Sequence, residues 1–124
     1  MKKKAKKRVV SRASKKHLKE EETRRIKRRY LKSRPICKVT FRLPKEAAPE
    51  AGKVNIVGDF NNWDSDILPM KRLKTGDFTT TVELQPGRNY HFKYLIDGNR
   101  WENDWFADIY APNPYGGDDS VIVL

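Results

Sequence analysis

The sequence predicts an all-β fold, a small β-sandwich preceded by a basic, partly helical N-terminal extension. The 124 residues include 27 Lys or Arg and 16 Asp or Glu, and the two kinds are unevenly placed. Residues 1–35 hold 17 of the basic residues and 3 of the acidic ones, whereas residues 36–124 hold 10 and 13. The second part instead shows short alternating segments separated by Pro and Gly turns, which is typical of sandwich domains.

Five segments of this second part alternate apolar and polar residues or are rich in β-branched residues, and each is predicted as a strand. The clearest segment has Tyr90, Phe92 and Tyr94 on one face and His91 and Lys93 on the other. An Asp-Gly pair follows it and favours a hairpin turn. The five predicted strands are 36–43, 53–57, 78–85, 89–96 and 120–124.

Two other segments of the second part have weaker patterns. The segment 68–73 is predicted as a short edge strand, since Pro69 has no N–H to donate within a sheet. Residues 104–117 contain two prolines and a Gly-Gly pair, and they are predicted to be irregular.

The extension, residues 1–35, is predicted to be separate from the sandwich at 36–124. Residues 1–12 have almost no apolar groups and are predicted to be disordered. Residues 14–33 are predicted to be helical, because two Glu residues each precede an Arg by four positions. Pro35 ends this helix, since the residue before a proline is disfavoured in helical geometry.

Three interpretations of the extension remain open. It is a solvated arm, or it contacts a polyanion such as RNA or DNA through counterion release, or it contacts anionic lipid head groups or an acidic partner. No zinc-ligand spacing or aromatic RNA-binding motif accompanies the basic residues, so no base-reading element is predicted.

Composition also bears on compartment, membrane and metal. The single cysteine, Cys37, excludes an intramolecular disulfide framework and agrees with a reducing compartment, so the cytoplasm is predicted. No apolar run is long enough to span a bilayer, and no apolar segment of a secretory signal follows the first lysines. His17 and His91 do not combine with Cys37 in any recognised metal-ligand spacing, so neither a metal nor a cofactor is predicted.

The most informative stretch runs from Gly58 to Trp63, directly after a predicted strand. It sets an indole at a strand-to-turn corner beside the amides of Asn61 and Asn62. Amides donate and accept hydrogen bonds at once, and a flat ring stacks on the apolar face of a sugar, so the stretch favours a polyhydroxylated ligand. A second interpretation, a core role for Trp63, stays open at this point because aromatic rings dominate small cores.

Several motifs in order give the second part a resemblance to a known family. They are residues 54–63 (VNIVGDFNNW), 84–87 (LQPG), 90–98 (YHFKYLIDG), 101–104 (WEND), 107–117 (ADIYAPNPYGG) and 119–123 (DSVIV). Over roughly 38–124 the chain resembles the family-48 carbohydrate-binding modules. These are the isoamylase N-terminal-like domains of starch-debranching and branching enzymes and the glycogen-binding domain of the AMP-activated protein kinase β subunit. The resemblance is greatest to small stand-alone prokaryotic members.

The resemblance implies an immunoglobulin-like sandwich that binds α-1,4-glucans such as glycogen. In the glycogen-binding members two tryptophans stack on the glucan and a lysine hydrogen-bonds its hydroxyls, and these match Trp63, Trp101 and Lys93. It also implies association with glycogen-metabolising enzymes.

The last loop of the site departs from the kinase-subunit pattern. Where that subunit has a leucine, a threonine and an asparagine, this chain has residues near Tyr115, Gly117 and Asp119. Tyr115 offers a flat apolar surface, Gly117 offers no side chain, and an ionised Asp119 accepts hydrogen bonds without donating them. Tyr115 and Asp119 are therefore predicted to complete the site together with Asn61.

No catalytic arrangement is apparent in the sequence. Glycoside hydrolysis needs two carboxylates across a cleft, but no spacing singles out a pair, and loop carboxylates are commonly turn formers. We therefore predict a non-catalytic glucan-binding module. The alternative is an adaptor protein whose basic tail binds nucleic acid or another polyanion and whose sandwich is a scaffold. Trp105 and Phe106 are either core residues or an extension of the stacking surface.

Overall fold

The computed structural model of the protein describes residues 24–124, which form nine strands. No α-helix occurs among these residues, and single 3-10 turns lie at Lys45–Ala47 and Asp59–Asn61. The strands are β1 Lys27–Tyr30, β2 Cys37–Leu43, β3 Val54–Gly58, β4 Lys71–Arg72, β5 Phe78–Leu84, β6 Asn89–Ile96, β7 Arg100–Glu102, β8 Ile109–Pro112 and β9 Asp118–Val123.

The strands form two antiparallel sheets, which confirms the predicted all-β sandwich. The first sheet has the order β1-β2-β5-β4. The second sheet has the order β3-β6-β9-β8. On the same edge of β6, residues 89–92 pair with β9 and residues 94–96 pair with β7. Each of the five strands predicted from alternation is present, with ends that differ from the prediction by at most two residues.

The core lies between the inner faces of β2 and β6. Val39, Phe41 and Leu43 of β2 are fully buried and alternate with partly exposed polar residues. Phe92 of β6 meets Phe41 edge-on, with ring centroids 4.9 Å apart, a favoured geometry for aromatic pairs. Because the inner face of β6 is apolar, its alternate residues face outward.

The predicted helix over 14–33 is wrong in the part that the structure describes, because Lys27–Tyr30 is a strand. It pairs with β2 in the register Lys27↔Thr40 to Tyr30↔Cys37. Charge pairs spaced by four residues are worth only a few tenths of a kcal/mol. They are outweighed here by a hydrogen-bonded ladder and by burial of Ile26 in the core. The first 23 residues, where the disordered segment is predicted, lie outside the described residues.

Ion pairs of Arg24 and Arg28 attach this first strand and the residues just before it to the rest of the sandwich. Asp77 is fully buried and accepts hydrogen bonds from Arg24 Nε at 3.2 Å and Arg42 Nε at 2.9 Å. Asp108, in the second sheet's β7–β8 connection, pairs with Arg28. The division between extension and sandwich at residue 35 stays a prediction, but β1 lies on the N-terminal side of it.

A second difference concerns residues 104–117, which are predicted to be irregular. Ile109–Pro112 forms strand β8 and pairs with β9. It is an edge strand, where the missing N–H of Pro112 leaves no central ladder bond unmade. No helix of the described residues has the length and apolar character to span a membrane.

Candidate functional site

An open groove of about 800 Å³ lies on the outer face of the second sheet. Five of the six predicted site residues line it, namely Trp63, Lys93, Trp101, Tyr115 and Asp119. Its lining residues are Asp59, Trp63, His91, Lys93, Trp101, Asn113, Pro114, Tyr115, Gly116, Gly117 and Asp119. Residues from four separate segments therefore meet on one face.

The first wall of the groove is the segment 59–63, which carries Trp63. Gly58, the last residue of β3, comes directly before this segment and lies against β6, since a Cβ at Gly58 would be 2.4 Å from the carbonyl oxygen of His91. Only glycine fits such an approach. Asn62 and Trp63 then both take a left-handed conformation with φ of 57°, which is uncommon for residues other than glycine. The backbone conformation at these two residues therefore fixes the direction in which the indole leaves the chain.

Asp59 holds that indole in place. Trp63 Nε1 donates to Asp59 Oδ1 at 2.9 Å, and the backbone N–H of His91 donates to Asp59 Oδ2 at 2.8 Å. The carboxylate thus ties the ring to strand β6. Trp63 is 38% exposed, so the ring is fixed at its edge and open at its surface. The core interpretation of Trp63 is wrong.

Asn61 does not reach the groove. It is buried, its Nδ2 donates to the Ile56 carbonyl at 3.1 Å, and its Oδ1 accepts from the Gly58 N–H at 3.0 Å. Both atoms are used inside the turn, because a buried backbone needs hydrogen-bond partners. This position does not fit the predicted role in sugar binding.

The floor of the groove is formed by β6. Lys93 Nζ donates to the Asp118 carbonyl at 2.7 Å, and Asn103 Nδ2 donates to the same oxygen at 3.0 Å. An ammonium group has three donors, so two of them stay available to a ligand. Because the Asp118 carbonyl is neutral, this contact positions the Lys93 ammonium group without neutralising its positive charge.

Trp101 closes one end of the groove from strand β7. It lies opposite Leu95 in the ladder, and Leu95 has the same outward orientation as Lys93. The turn of the β6–β7 hairpin is attached to the segment before β3, since Asp97 Oδ1 accepts hydrogen bonds from the N–H groups of Gly52 and Lys53, both at 2.9 Å. With 49% of its surface exposed, Trp101 presents a second indole beside Lys93.

The second wall is the segment 113–119. Asn113 Oδ1 accepts the backbone N–H groups of Tyr115 at 2.9 Å and Gly117 at 3.3 Å, and its Nδ2 donates to Asp119 Oδ1 at 3.0 Å. Asp119 is mostly buried, and its other oxygen lies 3.3 Å from His91 Nδ1. Tyr115 is 93% exposed. Asp119 therefore orders the loop, while the tyrosine ring extends into solvent.

A buried carboxylate supports the site from behind. Asp104 Oδ2 accepts from the Tyr94 hydroxyl at 2.5 Å and Oδ1 accepts from the Phe106 N–H at 2.7 Å. Burial raises the pKa of Asp104 to about 6, and it also raises the pKa of the Tyr94 hydroxyl. The Asp104 N–H donates to Ser120 Oγ at 2.8 Å, which links the β7–β8 connection to β9. Asp104 is therefore a structural group that does not line the groove.

The remaining aromatic residues of this region lie away from the groove. Trp105 is exposed but its Nε1 donates to Glu102 Oε2 at 3.3 Å, and Phe106 packs under the Arg25 guanidinium at 5.2 Å. Neither lines the groove. Within residues 24–124, no three or more His, Cys, Asp or Glu side chains are grouped so that they could hold a metal ion.

Sequence reasoning missed three lining residues that organise the groove, namely Asp59, His91 and Asn113. Asp59 resembles the loop carboxylates that commonly form turns, and His91 fits no recognised metal-ligand spacing. One signal was present, since the outward face of β6 contains His91 together with Lys93. The contacts of His91 with Asp59 and Asp119 span 32 and 28 residues, and such pairings are not visible in a local pattern.

Comparison with known proteins identifies the family of the chain. The family model described as the glycogen recognition site of AMP-activated protein kinase matches residues 46–110. The chain belongs to this family. The matched segment is a carbohydrate-binding module rather than a catalytic domain, and it contains Trp63, Lys93 and Trp101. The second wall, 113–119, lies outside the match.

Curated relatives include the 1,4-alpha-glucan branching enzymes GlgB of three bacteria. Those of Butyrivibrio fibrisolvens and Halothermothrix orenii are each 39% identical over 64 residues, which is 52% of this chain. That of Nitrosococcus oceani is 41% identical over 66 residues. The matches cover 9–10% of the length of these enzymes, so the chain is similar to one small part of each.

Proposed function

We propose that the protein binds α-1,4-glucan, a glycogen-like or starch-like polymer, without acting on it chemically. The observation that carries this proposal is the placement of two half-exposed indoles, Trp63 and Trp101, on one face with Lys93. Indole faces stack on the apolar faces of glucose rings, and the free donors of the ammonium group bond hydroxyl oxygens. Asp119 and Tyr115 contribute an acceptor and an apolar surface from the second wall.

Binding is expected to be weak. The groove is open, so it removes little ligand surface from water, and a glucan chain loses conformational freedom when it is held. We expect a dissociation constant of about 1 μM to 1 mM, or roughly −8 to −4 kcal/mol. The relatives are branching enzymes, and we propose that this protein acts in the cytoplasm on the same polymer as glycogen-metabolising enzymes and associates with them.

Titration of tryptophan fluorescence with maltoheptaose tests the proposal. Saturable quenching is expected, together with co-sedimentation of the protein with glycogen. A β-1,4-linked cello-oligosaccharide is the matched control, since it has the same sugar units with a different chain shape. Equal response to both oligosaccharides, or no saturation with maltoheptaose, would contradict an α-glucan site.

The alternative of an adaptor with a scaffold sandwich differs in one measurable respect. A scaffold does not require two exposed indoles beside a lysine with free donors, whereas a glucan-binding site does require them. Because glucans are neutral, removal of residues 1–23 is expected to leave maltoheptaose affinity unchanged. Loss of that affinity on removal would place these residues in the carbohydrate site.

A further inference from the structure

The outer face of the first sheet, on the far side of the sandwich from the groove, carries a group of cations. We propose that this surface binds the phosphate backbone of duplex nucleic acid, independently of the glucan groove. We call it the basic face and define it by Lys27, Arg29, Lys38 and Lys71. The proposal places polyanion binding on the folded domain itself and not only in the extension.

The strand register brings these cations to one surface. In β1 and β2, Lys27 is opposite Thr40 and Arg29 is opposite Lys38, and opposed residues of antiparallel strands have side chains on the same face. The alternate residues of β2 are fully buried, which sets Lys38 and Thr40 on the outside. A contact of 2.9 Å between the hydroxyls of Thr40 and Thr81 shows that this face continues onto β5. Thr79, two residues before Thr81, is opposite Lys71 of β4, so Lys71 belongs to the same face.

These cations take no part in the ion pairs among residues 24–124. Among residues 24–124, no carboxylate lies within ion-pair distance of Lys27, Arg29, Lys38 or Lys71. Other cations of the same sheet are used, since Arg24 and Arg42 pair with Asp77 and Arg28 pairs with Asp108. The basic face is thus formed by cations that no carboxylate of residues 24–124 neutralises.

The face also contains almost no negative charge. Its one carboxylate in the strand ladder is Glu83, opposite Lys38, and Glu83 lies 3.7 Å from Arg34. The groove face differs, since Asp59 and Asp119 both line it. An anionic polymer is therefore attracted to one side of the sandwich in preference to the other.

The spacing suits a charged polymer. Residues two apart on a strand are about 7 Å apart, and neighbouring strands are about 5 Å apart, so Lys27, Arg29 and Lys38 lie within one small patch. Long side chains from such a patch reach several phosphates of a duplex, where charges are dense. The hydroxyls of Thr40 and Thr81 add neutral hydrogen-bonding groups, which commonly contact phosphate and sugar.

The chemistry of the face favours a duplex over other anions. Single strands are held by aromatic rings that stack on bases, and stable membrane binding by a basic surface needs apolar insertion as well. The outward residues of β1, β2 and β5 are Lys, Arg, Thr and Glu. Contact is therefore expected with the backbone, without base reading. Residues 1–23, which precede the edge strand β1 in the sequence, add ten Lys or Arg against three Glu.

The test compares two double substitutions in the full chain. Lys27→Gln with Lys38→Gln removes two charges from the basic face, and Lys53→Gln with Lys74→Gln removes two charges from exposed loops. Binding of a mixed-sequence DNA duplex of about 20 base pairs is measured over a range of salt concentrations, where each phosphate contact contributes about −0.9 to the slope of log K against log salt. The face pair should shallow the slope by about 2 and weaken low-salt binding roughly tenfold, and the loop pair should change both much less.

Three results would overturn the proposal. Equal losses from the two pairs would show an effect of net charge alone. An unchanged slope for the face pair would assign duplex binding entirely to residues 1–23. Tighter binding to vesicles containing phosphatidylserine than to the duplex, with vesicle binding lost in the face pair, would identify a membrane-binding surface instead.

Unchanged thermal unfolding and unchanged maltoheptaose affinity of the substituted proteins serve as the folding control. Glycogen that sediments labelled duplex only when the unsubstituted protein is present would further support two independent faces.

Discussion

The two walls of the groove use the same device with different results. In each wall an aspartate connects a residue of its own segment to His91. Asp59 receives the indole N–H of Trp63 and the backbone N–H of His91, whereas Asp119 receives the Asn113 amide and faces the His91 ring. The first aspartate therefore holds a stacking ring, and the second holds only a loop.

This difference determines how much order exists before a ligand arrives. Trp63 is fixed by its backbone conformation and by its Nε1 contact, so it loses little freedom on binding. Tyr115 is fixed only at its backbone N–H, and its ring is 93% exposed. An immobilised side chain costs about 0.5–1.5 kcal/mol on binding. We infer that the first wall supplies most of the affinity and the second wall adjusts it.

The largest effect is expected from the indoles. Trp63→Ala and Trp101→Ala should each weaken maltoheptaose binding by about 2 kcal/mol or more, roughly thirtyfold, because each removes a stacking surface. Isothermal calorimetry reports the affinity and chemical denaturation reports stability. Trp105→Ala is the matched control, since its exposed indole lies outside the groove. A loss from Trp105→Ala equal to that from the other two would show that the groove is not the binding site.

A smaller effect is expected from the contact that positions the first indole. Asp59→Ala keeps the Trp63 indole in the groove but removes the hydrogen bond that fixes its orientation. The binding free energy should therefore weaken by about 1 kcal/mol, roughly fivefold in affinity. Asp66→Ala, at an exposed position of the adjacent loop, is expected to leave affinity unchanged. The comparison of the two walls fails if Asp59→Ala has no effect on binding while the protein remains folded.

Loosening the second wall should matter less. Asn113→Ala removes the acceptor for two backbone N–H groups and the donor to Asp119, so the loop samples more conformations before binding. The expected loss is roughly twofold, since the freed loop must be ordered again by the ligand. Hydrogen exchange of the Tyr115 and Gly117 amides should accelerate in the free protein. A loss as large as that of Asp59→Ala would make the two walls equivalent.

The smallest effect is expected from Tyr115 itself. Tyr115→Ala should change affinity by less than about twofold, because the stacking gain is largely offset by the ordering cost of an exposed ring. Tyr115→Phe should match the unsubstituted protein, which would separate stacking from any hydroxyl contact. If Tyr115→Ala instead weakens binding as much as Trp63→Ala, then the tyrosine is an anchor and the inference about the second wall is wrong.

The local sequence pattern was sufficient to predict the central strands but not the edge strands β1 and β8. The alternation of β2 and β6 is imposed by one buried face, so it is visible in sequence. Strand β1 has only Ile26 near it in the core and many charges, and its conformation depends on pairing with β2. Strand β8 is likewise an edge strand held by β9, and Pro112 obscures it. Tertiary pairing, and not propensity, decides both.

The site shows a similar division. Trp63, Lys93 and Trp101 were predicted from the resemblance to a family whose motifs are continuous in sequence, and the structure brings them to one groove. Asn61 was predicted from its position beside Trp63, but a buried turn needs its amide more than a ligand does. Asp59, His91 and Asn113 act through contacts between distant segments, and no single stretch of sequence encodes these contacts.

The ion pairs of Arg24 and Arg28 have a consequence for how this module is delimited. Similarity to the family covers residues 46–110, but that stretch omits β1, β2 and β9, whose strands complete both sheets. A chain cut to the similar stretch leaves long unpaired edges, which favour aggregation, and a cut at residue 35 leaves the buried Asp77 without one of its two guanidinium partners. We therefore expect the cooperative folding unit of this chain to be longer than the stretch that is similar to the family, and to include Arg24.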